Sequence, residues 1–223
     1  MSAPSPRAKK DVGAHFDRTA PAFDAIYTGE GVSPVRRLVH RVFFHDIHWR
    51  LALTLAECDA LAGASVLDIG CGSGVYLEEL GRRGAARLVG LDFAPAMIEL
   101  ARRRIAAAGL APMTDLRTTD FLAYPVEAPF DYTLAVGVFD YFRDPGPLLQ
   151  KMARSTRRKA IATFPQLWNP WTAVRRVRYA LAVRDCPVHF FSRARVRRLM
   201  RSAGFREVRV RALTNIFFAV GVP

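Results

Sequence analysis

Three aspartates and a glycine-rich loop are the residues of this sequence best suited to bind a charged ligand. Asp68 lies in the run Val66–Gly74, which reads as a short apolar strand that enters a tight turn before a helix. Glycine is needed where the backbone bends sharply or closely approaches a bound molecule, because any Cβ would collide. A glycine-rich loop between a strand and a helix is therefore a candidate cradle for a nucleotide. Its glycines are Gly70, Gly72 and Gly74.

The position of Asp68 argues against a pyrophosphate as the ligand of this loop. The dinucleotide fingerprint has the spacing G-x-G-x-x-G, whereas this loop reads G-x-G-x-G. A carboxylate two residues ahead of the first glycine would repel a pyrophosphate and attract an ammonium or sulfonium group. Asp92 lies 24 residues after Asp68, near the offset of about 20 residues at which an acid accepts hydrogen bonds from ribose hydroxyls.

Predicted strands and helices alternate along the chain, and this alternation places the acids at strand ends. Such alternation argues for a parallel, doubly wound sheet, whose ligands lie off the carboxyl ends of the strands. The predicted strands are Ser65–Ile69, Arg87–Asp92, Asp115–Thr118, Phe130–Val136 and Lys159–Phe164, and the helices include Pro95–Ala108 and Gly146–Arg154. The predicted C-terminal elements are a basic helix, Arg193–Ala203, and a hairpin of two strands, Glu207–Leu213 and Ile216–Val220.

The run Val66-Leu67-Asp68-Ile69-Gly70-Cys71-Gly72-Ser73-Gly74 resembles the first motif of the class I S-adenosylmethionine-dependent methyltransferases. The general resemblance extends over residues 12–222. It implies an α/β fold with a Rossmann-like, doubly wound, mostly parallel seven-stranded sheet that ends in an antiparallel hairpin. It further implies an N-terminal helical lid, a helical cap insertion, and S-adenosyl-L-methionine as the cofactor, with S-adenosyl-L-homocysteine as the product.

The same resemblance assigns the cofactor contacts. In that family an acid at a strand end bonds the adenine amino group, and an apolar neighbour lies against the ring; Asp120 and Phe121 match those positions. The segment 16–27 resembles the N-terminal arm that folds over the cofactor as a lid. The implied cofactor-binding residues are Phe16, Tyr27, Asp68, Gly70, Cys71, Gly72, Gly74, Asp92, Phe93, Met97, Asp120, Phe121 and Val136.

The chain is expected to form one domain, because 223 residues are ample for one core and short for two. Its predicted parts are a disordered tail (1–12), a helical lid (13–58), a cofactor-binding core (59–164), a basic aromatic cap (165–190), and a C-terminal helix and hairpin (191–223). The cap supplies Trp168 and Arg178 as candidate substrate-binding residues. A surface-seeking amphipathic helix is the alternative interpretation of the cap.

The loop after the fourth strand is expected to face the reacting methyl group. Methyl transfer from a sulfonium is an in-line displacement, in which the protein aligns nucleophile, carbon and sulfur and excludes water. A base is needed only where the acceptor is protonated at neutral pH, and the candidates are Asp140, Tyr141 and His189. A carboxylate or phosphate acceptor would need no base, and arginines of the last third could orient it.

The excess of positive over negative charge lies in the last third of the chain. Residues 1–150 contain 16 Lys/Arg and 18 Asp/Glu, whereas residues 151–223 contain 17 and 2, so the net charges are −2 and +15. This asymmetry indicates an anionic partner, which could be an acidic small molecule, a phospholipid surface or nucleic acid. A compositional preference for arginine without functional meaning is the alternative.

The cysteines, histidines and apolar runs bear on the compartment of the protein, on metal binding and on membrane contact. The three cysteines, at unrelated spacings, suit neither a disulfide framework nor a zinc site, which favours a cytoplasmic protein with reduced thiols. A helix with one apolar face is predicted from Pro34 to about Cys58, and His45 and His48 lie on it. Histidines beside an apolar helix face usually pack, so no metal site is expected from them. No apolar run approaches the ~20 residues of a membrane span, so any membrane contact would be peripheral.

The acceptor is expected to be a small molecule, anionic or amphipathic, methylated on oxygen or nitrogen; a lipid is included. Ile26-Tyr27, the strand-4 loop and the run 201–205 are similar to the magnesium-protoporphyrin carboxyl methyltransferases, which usually have histidine where Asp140 stands. An RNA methyltransferase and a non-catalytic cofactor-binding regulator stay open as alternatives. The loop 137–141 lacks the Asp/Asn-Pro-Pro-aromatic motif of adenine-N6 enzymes, and Cys186 precedes its proline, unlike the nucleophile of cytosine-C5 enzymes.

Overall fold

The computed structural model describes residues 45–167 and 189–223. Seven strands of these residues form one sheet: β1 Ser65–Ile69, β2 Arg87–Asp92, β3 Thr114–Thr118, β4 Phe130–Ala135, β5 Thr156–Pro165, β6 Glu207–Ala212 and β7 Ile216–Val222. The described helices are α1 His45–Glu57, α2 Val75–Arg82, α3 Pro95–Ala107, α4 Gly146–Arg154 and α5 Arg193–Ser202. Short 3₁₀ turns lie at Ala111–Met113 and Phe139–Tyr141.

The strand order β3-β2-β1-β4-β5-β7-β6 confirms the predicted doubly wound sheet. The strands from β3 to β5 pair in parallel, and β7 runs antiparallel to both β5 and β6. The winding of the chain reverses between β1 and β4, which opens a crevice at the carboxyl ends of those two strands. The predicted ligand site therefore lies at this switch point.

Both faces of the central strands of the sheet are buried. Val66 and Leu67 are fully buried, yet they belong to different apolar clusters, because successive strand residues point to opposite faces. Leu77 of α2 packs in the Val66 cluster, and Leu149 of α4 packs in the Leu67 cluster. Two-sided burial explains why the central parallel strands read as largely apolar runs in the sequence.

The element bounds agree with the predicted ones to within two residues except at β5, which begins three residues earlier than predicted. Arg157 and Arg158 interrupt the apolar run there, but the backbone already pairs at Thr156 with Phe130 of β4. Of the predicted lid, 13–58, only the part with α1 is described, and the cap segment 168–188 lies outside the described residues. Across residues 45–167 and 189–223, every helix is too short or too polar to span a membrane.

Candidate cofactor and active site

Left-handed glycines form the loop after β1. Gly70, Gly72 and Gly74 have φ values of +70°, +53° and +80°, a region that other residues rarely adopt. The backbone N–H groups of Gly70 and Cys71 both donate to the carbonyl oxygen of Leu91, at 2.7 and 3.0 Å. These bonds tie the loop to the end of β2, and the loop presents mainly its backbone at the carboxyl edge of β1.

Gly70→Ala is expected to destabilise the protein by about 2–4 kcal/mol, because a steric clash adds to an unfavourable backbone angle. A Cβ on Gly70 would lie 2.7 Å from Cγ2 of Val138, in the loop after β4. Gly63→Ala is the matched control, since Gly63 has a φ of +75° and no atom within 4 Å of its Cβ position. The control should lose only about 1–2 kcal/mol. Urea denaturation measures both variants, and equal losses would contradict the clash.

Asp92 connects the glycine loop to the end of β2. Its Oδ2 accepts a hydrogen bond from the N–H of Gly72 at 2.9 Å, and its Oδ1 accepts one from Ala94 at 2.9 Å. An ionised carboxylate offers about four lone-pair positions, so one such group can accept hydrogen bonds from several donors at once. The residue predicted to bind a ribose thus also fixes the two loops beside that position.

Asp68 is a buried carboxylate two residues before the glycine loop. The residue is 2% exposed, and its Oδ2 has no hydrogen-bond partner. Burial and, to a smaller extent, the charge of Asp92 raise the pKa of Asp68 from 3.8 to about 7. An unpaired ionised group is costly to bury, so a cationic ligand group at this position would relieve a large penalty.

Lys151 of α4 supports the loop after β3, which contains Asp120. The Nζ atom of Lys151 donates to the carbonyl oxygens of Phe121 at 2.7 Å, Leu122 at 3.1 Å and Tyr124. Asp120 in turn accepts a hydrogen bond from the N–H of Leu122 at 2.9 Å. Lys151 gives no local signal of this role in the sequence, because its acceptors lie 27 to 30 positions away along the chain.

The loop after β4 brings the candidate bases together. Phe139 is fully buried and stacks on Phe164 of β5, with ring centroids 4.6 Å apart, which fixes the loop. Asp140 is buried, Tyr141 is half-buried, and the N–H of His189 donates to the backbone carbonyl of Asp140 at 2.8 Å. The structure therefore places Asp140 and His189 side by side, although 49 positions separate them in the sequence.

The predicted apolar cofactor contacts differ in their exposure. Phe121 and Met97 are 2% and 1% exposed, so little of their surface is free for a ligand ring. Cys71 is also buried, whereas Phe93 and Val136 are half-buried. These assignments stay predictions. The remaining predicted site residues, Phe16, Tyr27, Trp168 and Arg178, lie outside the described residues.

Three arginines of the basic last third lie away from this crevice. Arg197, Arg198 and Arg201 of α5 line a groove of about 690 Å³ together with Ser202 of α5 and Val208 of β6. Strand β6 is four positions from β1 in the sheet, or about 19 Å at the usual strand spacing. The groove that these arginines line therefore lies at the far edge of the sheet from the glycine loop.

Comparisons with known proteins place the chain among methyltransferases. A family model described as a methyltransferase domain matches residues 66–159. The magnesium-protoporphyrin O-methyltransferase of Rhodobacter capsulatus is 33% identical over 153 residues, which cover 67% of this chain and 66% of that protein. A ubiquinone biosynthesis O-methyltransferase of Neisseria meningitidis is 32% identical over 123 residues, 54% of this chain and 51% of that protein. The matched part of the chain thus spans between half and two thirds of the length of each of these relatives.

A solved structure extends the similarity over nearly the whole fold. The magnesium protoporphyrin IX methyltransferase of Synechocystis PCC 6803, crystallised with S-adenosylhomocysteine, superposes with a TM-score of 0.73 at 18% identity. The superposition covers 96% of this chain and 99% of that one. The sheet order, the glycine loop between β1 and α2, and these similarities show that the chain belongs to the class I S-adenosylmethionine-dependent methyltransferases.

Proposed function

We propose that this protein transfers the methyl group of S-adenosylmethionine to a small-molecule acceptor, on an oxygen atom. The observation that supports this function most directly is Asp68, a buried carboxylate with a partnerless oxygen beside the left-handed glycine loop. Oxygen as the acceptor atom rests on the names of the two O-methyltransferase relatives. An anionic or amphipathic acceptor, as expected from the sequence, is part of the proposal.

The residues at the crevice fit the proposed cofactor. The partnerless Oδ2 of Asp68 suits a cationic group such as the ammonium of an amino acid. The Cβ-free surface of Gly70 leaves the backbone open, and any side chain there would meet Val138. Asp92 would bind the ribose, and Asp120 would bind the adenine amino group. When bound, the sulfonium supplies an electrophilic methyl carbon for in-line attack.

The loop after β4 would hold the acceptor in line with that methyl group. The backbone N–H of Gly137 donates to Oγ1 of Thr163 at 2.8 Å, and Phe139 anchors the far side of the loop in the core. A rigid loop of this kind can hold the two substrates in the reactive orientation, so that less entropy is lost when the transition state forms. In this proposal, Asp140, Tyr141 and His189 would take a proton from a hydroxyl acceptor or hydrogen-bond it.

His189→Asn is expected to lower kcat/KM by about 100-fold or more if His189 takes the acceptor's proton. Burial and the charges of Arg143 and Arg195 lower the pKa of His189 below its usual 6.5, so the imidazole is neutral and basic at pH 7. The wild-type kcat/KM should therefore rise through an acidic limb centred below pH 6.5, and the variant should lack that limb. A flat wild-type profile from pH 5 to 8 would contradict this role.

Two measurements test the proposed function. Calorimetry should show that the wild-type protein binds S-adenosylhomocysteine, and the absence of binding would overturn the cofactor assignment. Transfer of a labelled methyl group is then followed to protoporphyrin IX, to small phenols and carboxylic acids, and to total RNA. Label in a small molecule supports the proposal. Label in RNA alone would replace it with RNA modification, and cofactor binding without transfer to any of them would favour a regulator.

A further inference from the structure

Helix α1 delivers an arginine side chain to the carboxyl edge of the sheet. The C-terminal end of α1 is fixed at Glu57, whose backbone carbonyl accepts a hydrogen bond from Nζ of Lys159 at 2.9 Å. Its side chain also pairs with Arg209 at 2.7 Å. Arg50 lies seven residues before Glu57, about 10 Å along the helix axis. A Cβ on Gly137, in the loop after β4, would lie 3.9 Å from Nη1 of Arg50.

The guanidinium of Arg50 lacks partners in the described structure. Its Nε is buried and has no hydrogen-bond partner, and Arg50 takes part in no ion pair among residues 45–167 and 189–223. A buried donor that has lost its water and gained no acceptor is unfavourable. Such a group is expected where a ligand supplies the acceptor.

Arg50 and Asp68 are unpaired groups of opposite charge at one crevice. Asp68 of β1 pairs in register with Leu134 of β4. Leu134 lies three residues before Gly137 in the chain. The loop of Gly137 also reaches the glycine loop, because Val138 occupies the space beside Gly70. The two charged side chains do not pair with each other within the described structure. A ligand with both a cationic and an anionic group would satisfy them together.

We propose that Arg50 binds a carboxylate of a ligand in this crevice. A guanidinium offers two parallel N–H donors that match the two oxygens of a carboxylate. The carboxylate has two sources, the amino-acid end of the cofactor and an acidic acceptor. This proposal rests on the proposed function, which supplies both ligands, and it gives the anion-binding role to α1 rather than to the arginines of α5.

The test compares ligands that differ only in the carboxylate or in the group that contains it. Calorimetry measures S-adenosylhomocysteine against 5′-methylthioadenosine, which lacks the amino-acid end. Absorbance titration measures protoporphyrin IX against its dimethyl ester. The variants are Arg50→Gln and Arg50→Lys, with Arg102→Gln as the matched control, since Arg102 is 58% exposed on α3 and pairs only with Glu99 among the described residues. Thermal melts establish that each variant is folded.

Loss of a charge-assisted hydrogen bond predicts about 10–100-fold weaker binding of the carboxylate ligand to Arg50→Gln. If the cofactor supplies the carboxylate, S-adenosylhomocysteine weakens and 5′-methylthioadenosine does not. If the acceptor supplies it, only free protoporphyrin IX weakens. Arg50→Lys keeps the charge but not the paired donors, so its affinity for the carboxylate ligand should lie between those of the wild type and of Arg50→Gln. It also serves as the test variant if Arg50→Gln does not fold.

Unchanged affinity of Arg50→Gln for all four ligands would overturn the proposal while leaving the proposed function intact. Equal weakening of each ligand and its carboxylate-free counterpart would also overturn it, since a structural defect acts on both alike. A wild-type protein that binds neither S-adenosylhomocysteine nor 5′-methylthioadenosine contradicts the proposed function itself, and Arg50 then has no ligand of this class.

Discussion

Asp68→Asn is expected to weaken binding of S-adenosylhomocysteine by about 100-fold or more, because it removes the charge opposite the ligand's ammonium. The same change should stabilise the ligand-free protein at pH 8. Asp68 is buried with a partnerless Oδ2, and a neutral amide is less costly to bury than an ionised carboxylate. One substitution should thus remove binding and raise the melting temperature, a combination typical of a residue kept for ligand binding.

The stability effect should depend on pH in a defined direction. The pKa of Asp68 is about 7 in the folded chain, raised by burial and by Asp92 from 3.8. A carboxyl group whose folded pKa exceeds its unfolded value stabilises the fold at low pH and loses that contribution as the pH rises through the folded pKa. Relative to Asp68→Asn, the wild type should therefore lose up to about 4 kcal/mol between pH 4 and pH 7.

Urea denaturation of the ligand-free proteins from pH 4.5 to 8, with calorimetry for the ligand, checks both parts of this prediction. Asp59→Asn is the control, because Asp59 is exposed and a hydrogen bond from Lys159 lowers its pKa. That variant should bind S-adenosylhomocysteine normally and should be no more stable than wild type at pH 8. A less stable Asp68→Asn variant at pH 8 would show that its carboxylate has a structural partner.

Asp92→Ala should also abolish measurable cofactor binding, but with the opposite effect on stability. The change removes the acceptor for the N–H groups of Gly72 and Ala94, each at 2.9 Å. Loss of two charge-assisted hydrogen bonds in a half-buried place should cost about 2–4 kcal/mol. The glycine loop would then lose its tie to the loop after β2, in addition to the proposed ribose contact.

Asp115→Ala is the matched control for Asp92→Ala. Asp115 lies on the neighbouring strand β3, is 43% exposed, and pairs only with Arg117 in the described structure. Exposed pairs contribute roughly 0–1 kcal/mol, so this control should change neither stability nor binding appreciably. Full ligand affinity in Asp92→Ala would contradict its role as a ribose ligand, whatever the melting temperature does.

Local patterns in the chain determined much of the fold. The apolar run 65–69 and the alternating glycines after it predict a strand and a tight turn, because both depend on the backbone preferences of neighbouring residues. The hairpin of β6 and β7 was predictable for the same reason, since only a short turn separates its strands. Strand β5 began earlier than predicted because pairing with β4, rather than residue type, decides where a strand starts.

Contacts over long sequence distances were not predictable in this way. Lys151 reads as an ordinary helix lysine, and only the packing of α4 beside the loop after β3 makes it a donor to three carbonyls. Arg50 likewise reads as one more arginine of an amphipathic helix. The arginine count of the last third suggested an anion site, yet three of its arginines line a groove at the far edge of the sheet.

The sequence by itself determined the fold class, the glycine loop and the positions of Asp68, Asp92 and Asp120 at strand ends, because period, glycine spacing and acid placement are local properties. The tertiary structure decided which of these groups lack partners. It showed that Asp92 is already hydrogen-bonded to two loops, that one oxygen of Asp68 is not bonded, and that Arg50 reaches the same crevice. Burial and pairing depend on elements brought together from distant parts of the chain, so no local pattern could have supplied them.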